Sequence, residues 1–400
     1  MKRQIRLWRQ RVARELTGES VSGISPNNQI SLYFDGDEAY EAMLRTIATA
    51  KYSIHLEIYM FLSDTTGSRF AHALADKARQ GVPVRVIYDA IGSSAASEAL
   101  WSAMREAGVE LIEYRPVWFW KKGAGILGRN HRKNLIIDSR IAFTGGMNIG
   151  DAWSVKASGN KAWRDTQIKI KGPAAHDINA LFIDSWNHCS ETQITPPRPQ
   201  DLTSTPNKAH TNNKQETNGS RCMVIGSRGL GNRKHIRKLY SVHLDQAKRS
   251  VSMTVPYFVP PRRLRHAMYR ACQRGVSISL LVPRDSDIRV VDWLREGLYP
   301  RLLNRGISVR EYLGPTLHAK TMVLDDHTAI IGSSNFDIFS VHMNRETAVV
   351  VFDETIAEAI NHQWKLDLKQ SATVQSNWQG LRPWWRLAIS KIGCFLIRRL

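Results

Sequence analysis

Two eighteen-residue stretches of this chain carry the same polar residues in the same order. The first, HRKNLIIDSRIAFTGGMN, places His131, Lys133, Asp138, Gly145 and Asn148; the second, HAKTMVLDDHTAIIGSSN, places His318, Lys320, Asp325, Gly332 and Asn335. Every member of the second set lies 187 residues after its counterpart. Residues i and i+2 of a strand face the same side, so each His projects beside its Lys. The apolar run after each Lys reads as a buried strand. Asp138 and Asp325 then fall where the chain has to turn, and the returning strand carries Asn148 and Asn335 back towards the His–Lys end. An imidazole transfers protons, an ammonium neutralises a phosphate oxygen, and a carboxamide donates a hydrogen bond to another. Such a set suits the cutting and re-forming of a phosphodiester.

A further match lies downstream. WRDTQIKI in the first half parallels NRETAVVV in the second, which sets Asp165 opposite Glu346. A carboxylate that holds one ring nitrogen of a histidine fixes its tautomer and orientation. The pairing of His with Lys argues against a metal, because a neighbouring cation repels one. No cofactor is expected.

The elements that must position these groups also repeat. IHLEIYM (54–60), VPVRVIYD (82–89) and VELIEY (109–114) read as strands, with helices near 69–80 and 95–107 between them. In the second half SVSMTVPYF (250–258), SISLLVP (277–283) and SVREYL (308–313) follow the same order. Its helices are expected near 235–248, up to Gly275, and over 290–304. Strands alternating with helices predict α/β layers. The segment 191–220 is rich in Pro, Thr, Asn and Ser and has almost nothing to bury, which predicts a flexible linker.

Charge bounds the partners. The 400 residues hold 56 Lys+Arg against 36 Asp+Glu, a net charge of +20, which favours a polyanion such as nucleic acid or an anionic membrane surface. The four cysteines are scattered and form no CxxC pair, so neither a disulfide framework nor a zinc site is indicated. No run reaches the roughly 18 apolar residues of a spanning helix. The basic N-terminus lacks the apolar core of a signal peptide. Ile5, Trp8, Val12 and Leu16 fall on one helical face among six bases, and RPWWRLAISKIGCFLIRRL closes the chain; both predict interfacial helices. Just before the first motif, YRPVWFWKK (114–122) mixes aromatics with bases. That suits a bilayer headgroup region, stacking on single-stranded nucleic acid, or core packing, with the first preferred.

HxKxxxxD followed by GxxN, present twice, resembles the phospholipase D superfamily. The likeness runs from about residue 28 to 368. HLEIYMF, TGGMN, WRDTQIKIKGP and VPYFVP are similar to phrases of bacterial cardiolipin synthases, especially the shorter B-type without membrane spans. The resemblance implies two pseudo-symmetric α/β sandwich halves with mixed sheets, facing each other across one active site. The halves would span 28–190 and 222–368, with motifs at 131–148 and 318–335. A basic amphipathic segment (1–27), the linker (191–221) and a basic aromatic segment (369–400) complete the chain. One histidine would form a phosphohistidine while the other protonates the leaving alcohol, with His131 the preferred nucleophile. Lys133, Lys320, Asn148 and Asn335 would bind phosphate, Asp138 and Asp325 would complete the catalytic signature, and Asp165 and Glu346 would orient the imidazoles. Where the family often has Gly-Ser, the first copy has Gly145-Gly146 and only the second keeps Gly332-Ser333. The missing hydroxyl would remove one phosphate or backbone contact.

By the same resemblance, the phosphatidyl group of one phosphatidylglycerol would pass to another, giving cardiolipin and glycerol; phosphatidylethanolamine could serve as a related donor or acceptor. The place of action would be the cytoplasmic face of the bacterial inner membrane, as a peripheral protein. A phospholipase D hydrolase shares the motif, and so does a nuclease. The aromatic–basic termini favour lipid over nucleic acid, and two intact motifs argue against a purely structural role.

Overall fold

The turn after each motif strand is dictated by its residues. Asp138 and Ser139 have φ of 53° and 54°, and Asp325 and Asp326 have 52° and 60°. Two successive left-handed residues make the hairpin turn whose twist matches paired strands, and Asp tolerates that conformation. The Arg140 amide closes the first turn on the Ile137 carbonyl, and the His327 amide closes the second on Leu324.

These hairpins belong to one large sheet in a computed structural model. It describes residues 22–375 and 377, apart from 118–124, 126, 196–218, 228–234, 338–339 and 341–342. The first half contributes β1 (Ser25–Tyr33), β2 (Ile54–Ile58), β3 (Val84–Asp89), β4 (Glu110–Tyr114), β5 (Lys133–Ile137), β6 (Ile141–Gly145) and β7 (Gln167–Lys171). The second contributes β8 (Ser220–Gly226), β9 (Ser250–Thr254), β11 (Ser277–Pro283), β12 (Ser308–Tyr312), β13 (Thr321–Leu324), β14 (Thr328–Gly332), β16 (Thr347–Phe352) and β17 (Ser371–Thr373), while β10 (Phe258–Val259) and β15 (Phe336–Asp337) pair with each other in a separate parallel ribbon. Among the described residues, fifteen strands run in the order β17-β12-β11-β9-β13-β14-β16-β8-β1-β7-β6-β5-β2-β3-β4. Read outward from the central β8–β1 pair, both halves repeat one order, which makes the expected pseudo-twofold visible. The sheet is mixed: β2, β3 and β4 are parallel, and the hairpins are antiparallel.

Each half has an apolar layer of its own on one face, and a third layer is shared. Ile136, Ile168 and Phe182 of the first half pack in one cluster with Val224, Ile331 and Val349 of the second. Helices Pro173–Cys189 and Glu354–Lys369 cover it. The halves are therefore welded by both backbone pairing and a continuous core.

Several elements differ from expectation. The helix predicted over 290–304 is two, Arg289–Glu296 and Tyr299–Leu303, because Pro300 lacks the amide that would continue it. SVSMTVPYF is broken after Thr254, where Pro256 cannot join a ladder. The sheet reaches beyond the predicted limits of the halves: β1 starts at Ser25, β8 at Ser220, and β17 lies past residue 368. Of the predicted linker, 191–195 and 219–221 are described; 196–218, the N-terminal 1–21 and the C-terminal 378–400 lie outside the described residues, as does the whole WFWKK run (118–122).

Candidate active site

The two motif histidines sit where the halves meet. His131 lies two residues before the start of β5, and its amide donates to the Arg345 carbonyl of the other half at 2.9 Å. The His318 amide donates to the Arg164 carbonyl at 2.8 Å. Short parallel bridges, Asn130 to Arg345 and Arg164 to Leu317, repeat this exchange on either side of the pseudo-axis.

The exchange also delivers the carboxylates. His131 Nδ1 lies 3.0 and 3.1 Å from the Glu346 oxygens. His318 Nδ1 lies 2.6 Å from Asp165 Oδ2. Each imidazole thus leans on an acid from the opposite half. Burial pushes Glu346 and Asp165 up, but His131 and Lys133 hold the first, and Lys320 and His318 the second, below the usual carboxylate range. An ionised acid at Nδ1 keeps the proton there and leaves the Nε2 lone pair for chemistry.

The lysines turn back on their own histidines. Lys133 Nζ donates to the His131 carbonyl at 2.8 Å. Lys320 Nζ donates to the His318 carbonyl and lies 3.0 Å from His318 Nδ1. Burial lowers Lys133 to about 7 and Lys320 to about 8. Burial, then Lys320, lowers His318 to about 4; burial, with Lys133 and Lys320, also lowers His131. Two buried lysines beside two imidazoles invite an anion, whose charge would hold the lysines protonated.

The asparagines flank this cluster, both buried, but differ. Asn148 Oδ1 accepts the Met60 amide at 3.1 Å. Asn335 Oδ1 has no hydrogen-bond partner among the described residues. Aromatic rings wall the site. Tyr59 meets His131 edge-on with centroids 4.9 Å apart; Trp163 and Trp153 lie 5.3 and 5.8 Å from His318, and Tyr257 6.2 Å.

One expectation needs correction. Asp138 and Asp325 are not with the catalytic groups: they stand at the far ends of their strands. Asp138 accepts the backbone amides of Lys51, Tyr52 and Ser53. Asp325 accepts those of Lys248, Arg249 and Ser250. Five residue steps along the strand separate each from its lysine, roughly 16–17 Å at the usual rise. They staple the hairpin to the start of the neighbouring strand. The Gly-Ser difference does involve a backbone contact: the Ser333 hydroxyl accepts the Thr347 amide, and it also donates to Glu346, so it supports the carboxylate. In the first copy a Cβ at residue 146 would fall 2.1 Å from Asp165 Oδ1, which leaves room for glycine alone. There the Trp153 indole N–H supports Asp165 at 3.1 Å in place of the serine.

Sequence reasoning missed a brace behind His131. Arg129 binds Asp89 at 2.8–3.0 Å and three carbonyls, and the Asn130 amide donates to the same carboxylate. Asn130 Nδ2 donates to Glu57 at 2.9 Å. The Glu in HLEIYMF, a charge inside an apolar strand, was the available signal. Among the described residues, no group of three or more His, Cys, Asp or Glu side chains is arranged to hold a metal ion, and no helix is long and apolar enough to cross a membrane.

This geometry has relatives. The family described as cardiolipin synthase, PLD-like domain, matches residues 43–186 and 240–367. A cardiolipin synthase of Clostridium perfringens is 32% identical over 379 residues, 94% of this chain and 77% of that protein. The major cardiolipin synthase of Bacillus subtilis is 32% identical over 359 residues, 90% of this chain and 73% of that one. Among solved structures, a phosphatidylserine synthase of Haemophilus influenzae superposes with a TM-score of 0.71 at 14% identity, covering 97% of both chains. At that identity the likeness speaks for the fold.

Proposed function

Since the chain belongs to the cardiolipin synthase, PLD-like domain family, we propose that it is a phosphatidyltransferase that joins two phosphatidylglycerols into cardiolipin and free glycerol. The observation that carries this reading is the pair of imidazoles, each held at Nδ1 by an ionised carboxylate and flanked by a buried lysine. One imidazole Nε2 attacks phosphorus as the bond to the headgroup glycerol breaks, giving a phosphohistidine. The other, protonated, passes its proton to the departing glycerol oxygen. It then takes the proton of a hydroxyl on the second phosphatidylglycerol. That oxygen bonds to phosphorus and releases the first imidazole. Lys133, Lys320, Asn148 and Asn335 hold the non-bridging oxygens throughout. Asp165 and Glu346 orient the rings. Phosphatidylethanolamine is a related donor or acceptor. The two halves, each extended to the ends of its strands at Ser25, Ser220 and Thr373, form one catalytic unit, working as a peripheral protein at the cytoplasmic face of the bacterial inner membrane.

Mass spectrometry of products from phosphatidylglycerol vesicles tests this. Cardiolipin with an equal amount of glycerol is expected. Phosphatidic acid without cardiolipin would make the protein a hydrolase, and cleavage of nucleic acid with lipid untouched would overturn the lipid reading.

A further inference from the structure

The loops that leave the sheet beside the two imidazoles expose apolar side chains from both halves. Ile58, the last residue of β2, pairs with Lys133, and Thr254, the last of β9, pairs with Thr321. Strands β3 and β4 run parallel to β2, and β11 and β12 run parallel to β9. The C-terminal ends of all six strands therefore lie at the site. The chain beyond β4 carries Val117 and Leu127, exposed by 44% and 52%; beyond β11 it carries Ile288 and Val290, at 46% and 55%; beyond β12 it carries Leu313, at 48%. An apolar rim split between two pseudo-symmetric halves is not scattered surface hydrophobicity.

The rim is tied to the chemistry. The Tyr257 hydroxyl donates to Asp287 at 2.6 Å, next to Ile288, and the Tyr257 ring lies 6.2 Å from His318. On the other side Arg129, two residues before His131, donates to the carbonyls of Arg115 and Gly125, two residues from Val117 and Leu127 respectively. The flank is cationic. Helix Arg262–Gln273 starts five residues after Tyr257, contains no acidic residue, and exposes Arg262 and Arg263 in its first turn, whereas Arg270 further along is paired with Asp245. Arg289, between Ile288 and Val290, keeps 70% of its side chain exposed.

Apolar tips beside fixed cations complement the boundary between anionic headgroups and acyl chains. We propose that this rim is a bilayer-docking surface that seats the mouth of the site on anionic phospholipid, with Leu127, Ile288 and Val290 entering the interface. It rests on the reading that the substrate is a membrane lipid. Seated this way, a headgroup phosphate reaches the lysines while its acyl chains stay in the bilayer.

The test uses the full chain and vesicles of phosphatidylglycerol with phosphatidylcholine. Leu127→Ser, Ile288→Ser and Val290→Ser together should lower co-sedimentation at least about tenfold, while turnover of a soluble phosphodiester such as bis(p-nitrophenyl) phosphate stays unchanged. Arg262→Gln with Arg263→Gln should remove the preference for anionic over purely zwitterionic vesicles. Leu127→Ser alone, the mildest change, should give a smaller loss in the same direction. Vesicle binding equal to the parent in the triple variant would overturn the proposal. So would a parent dimer that the triple variant dissociates without any change in vesicle binding, which would assign the rim to a second copy of the chain. If the triple variant loses vesicle binding but the parent makes no cardiolipin, the docking surface stands and the transferase reading falls.

Discussion

His131 leans on Glu346: Nδ1 lies 3.0 Å from Oε1, although 215 residues separate the two in the chain. The reciprocal contact, His318 to Asp165 at 2.6 Å, spans 153 residues. Neither half holds a complete site of its own. Each supplies one imidazole and the acid that orients the other's.

That exchange makes the carboxylates testable. Glu346→Gln or Asp165→Asn keeps shape and removes the charge that fixes the tautomer. We expect kcat on a soluble phosphodiester to fall about 10²- to 10⁴-fold with KM nearly unchanged and the circular dichroism melt retained. Activity within twofold of the parent would remove both residues from the mechanism.

The histidines have separate steps. His131→Ala and His318→Ala should each abolish turnover, by about 10²-fold or more. A donor labelled at phosphorus and quenched in alkaline detergent, because a histidine N–P bond is acid-labile, should leave label on the protein in only one of the two variants, which identifies the nucleophile. Label trapped in neither variant nor parent would argue for direct transfer without a phosphohistidine.

The two glycine-led turns predict opposite tolerance. Gly146→Ser forces a Cβ against Asp165 and should displace it, with activity lost as in Asp165→Asn. Ser333→Ala only removes a hydroxyl that bonds Glu346, and should cost about 1–3 kcal/mol of stability with catalysis reduced but present. Equal effects from the two substitutions would show that the local packing described for them is irrelevant.

Asp138 and Asp325 should behave as structural residues. Replacing Asp138 by Ala leaves three backbone amides without their acceptor. A loss of about 1.5–3 kcal/mol is expected, read as a lower denaturant midpoint, with kcat of the folded fraction near the parent value. A large fall in kcat at unchanged stability would return this residue to the chemistry.

The lysines set a pH dependence. Lys133 at about 7 and Lys320 at about 8 lose charge as pH rises through that window. KM for a soluble phosphodiester should therefore rise between pH 7 and 9. Stability should move the other way. Both values lie below the ordinary lysine value, so between them and about 10.5 the unfolded chain binds more protons, and these groups favour the fold increasingly as pH rises. A KM flat to pH 9 would mean that the lysines stay charged at the site.

What could be read without coordinates was whatever repeats locally. The His-x-Lys spacing, the alternation of strands and helices, and the match of Asp165 to Glu346 are patterns in one dimension, and period-two strands place His and Lys side by side whatever surrounds them. Partners across the molecule are different. No spacing rule says that Glu346 serves His131 and not His318, because that depends on how the two halves are joined at β1 and β8, whose sequences carry no motif. The roles of Asp138 and Asp325 were misread for the same reason. Their neighbours in the chain are catalytic, but a hairpin carries one end of its strand far from the other, and only the packed sheet decides which end meets the substrate. Pro256 and Pro300 were visible breaks whose weight the apolar pattern hid. The exposed rim at the mouth was illegible altogether, since Leu127, Ile288 and Val290 are ordinary core residues by type, and only tertiary structure left them outside.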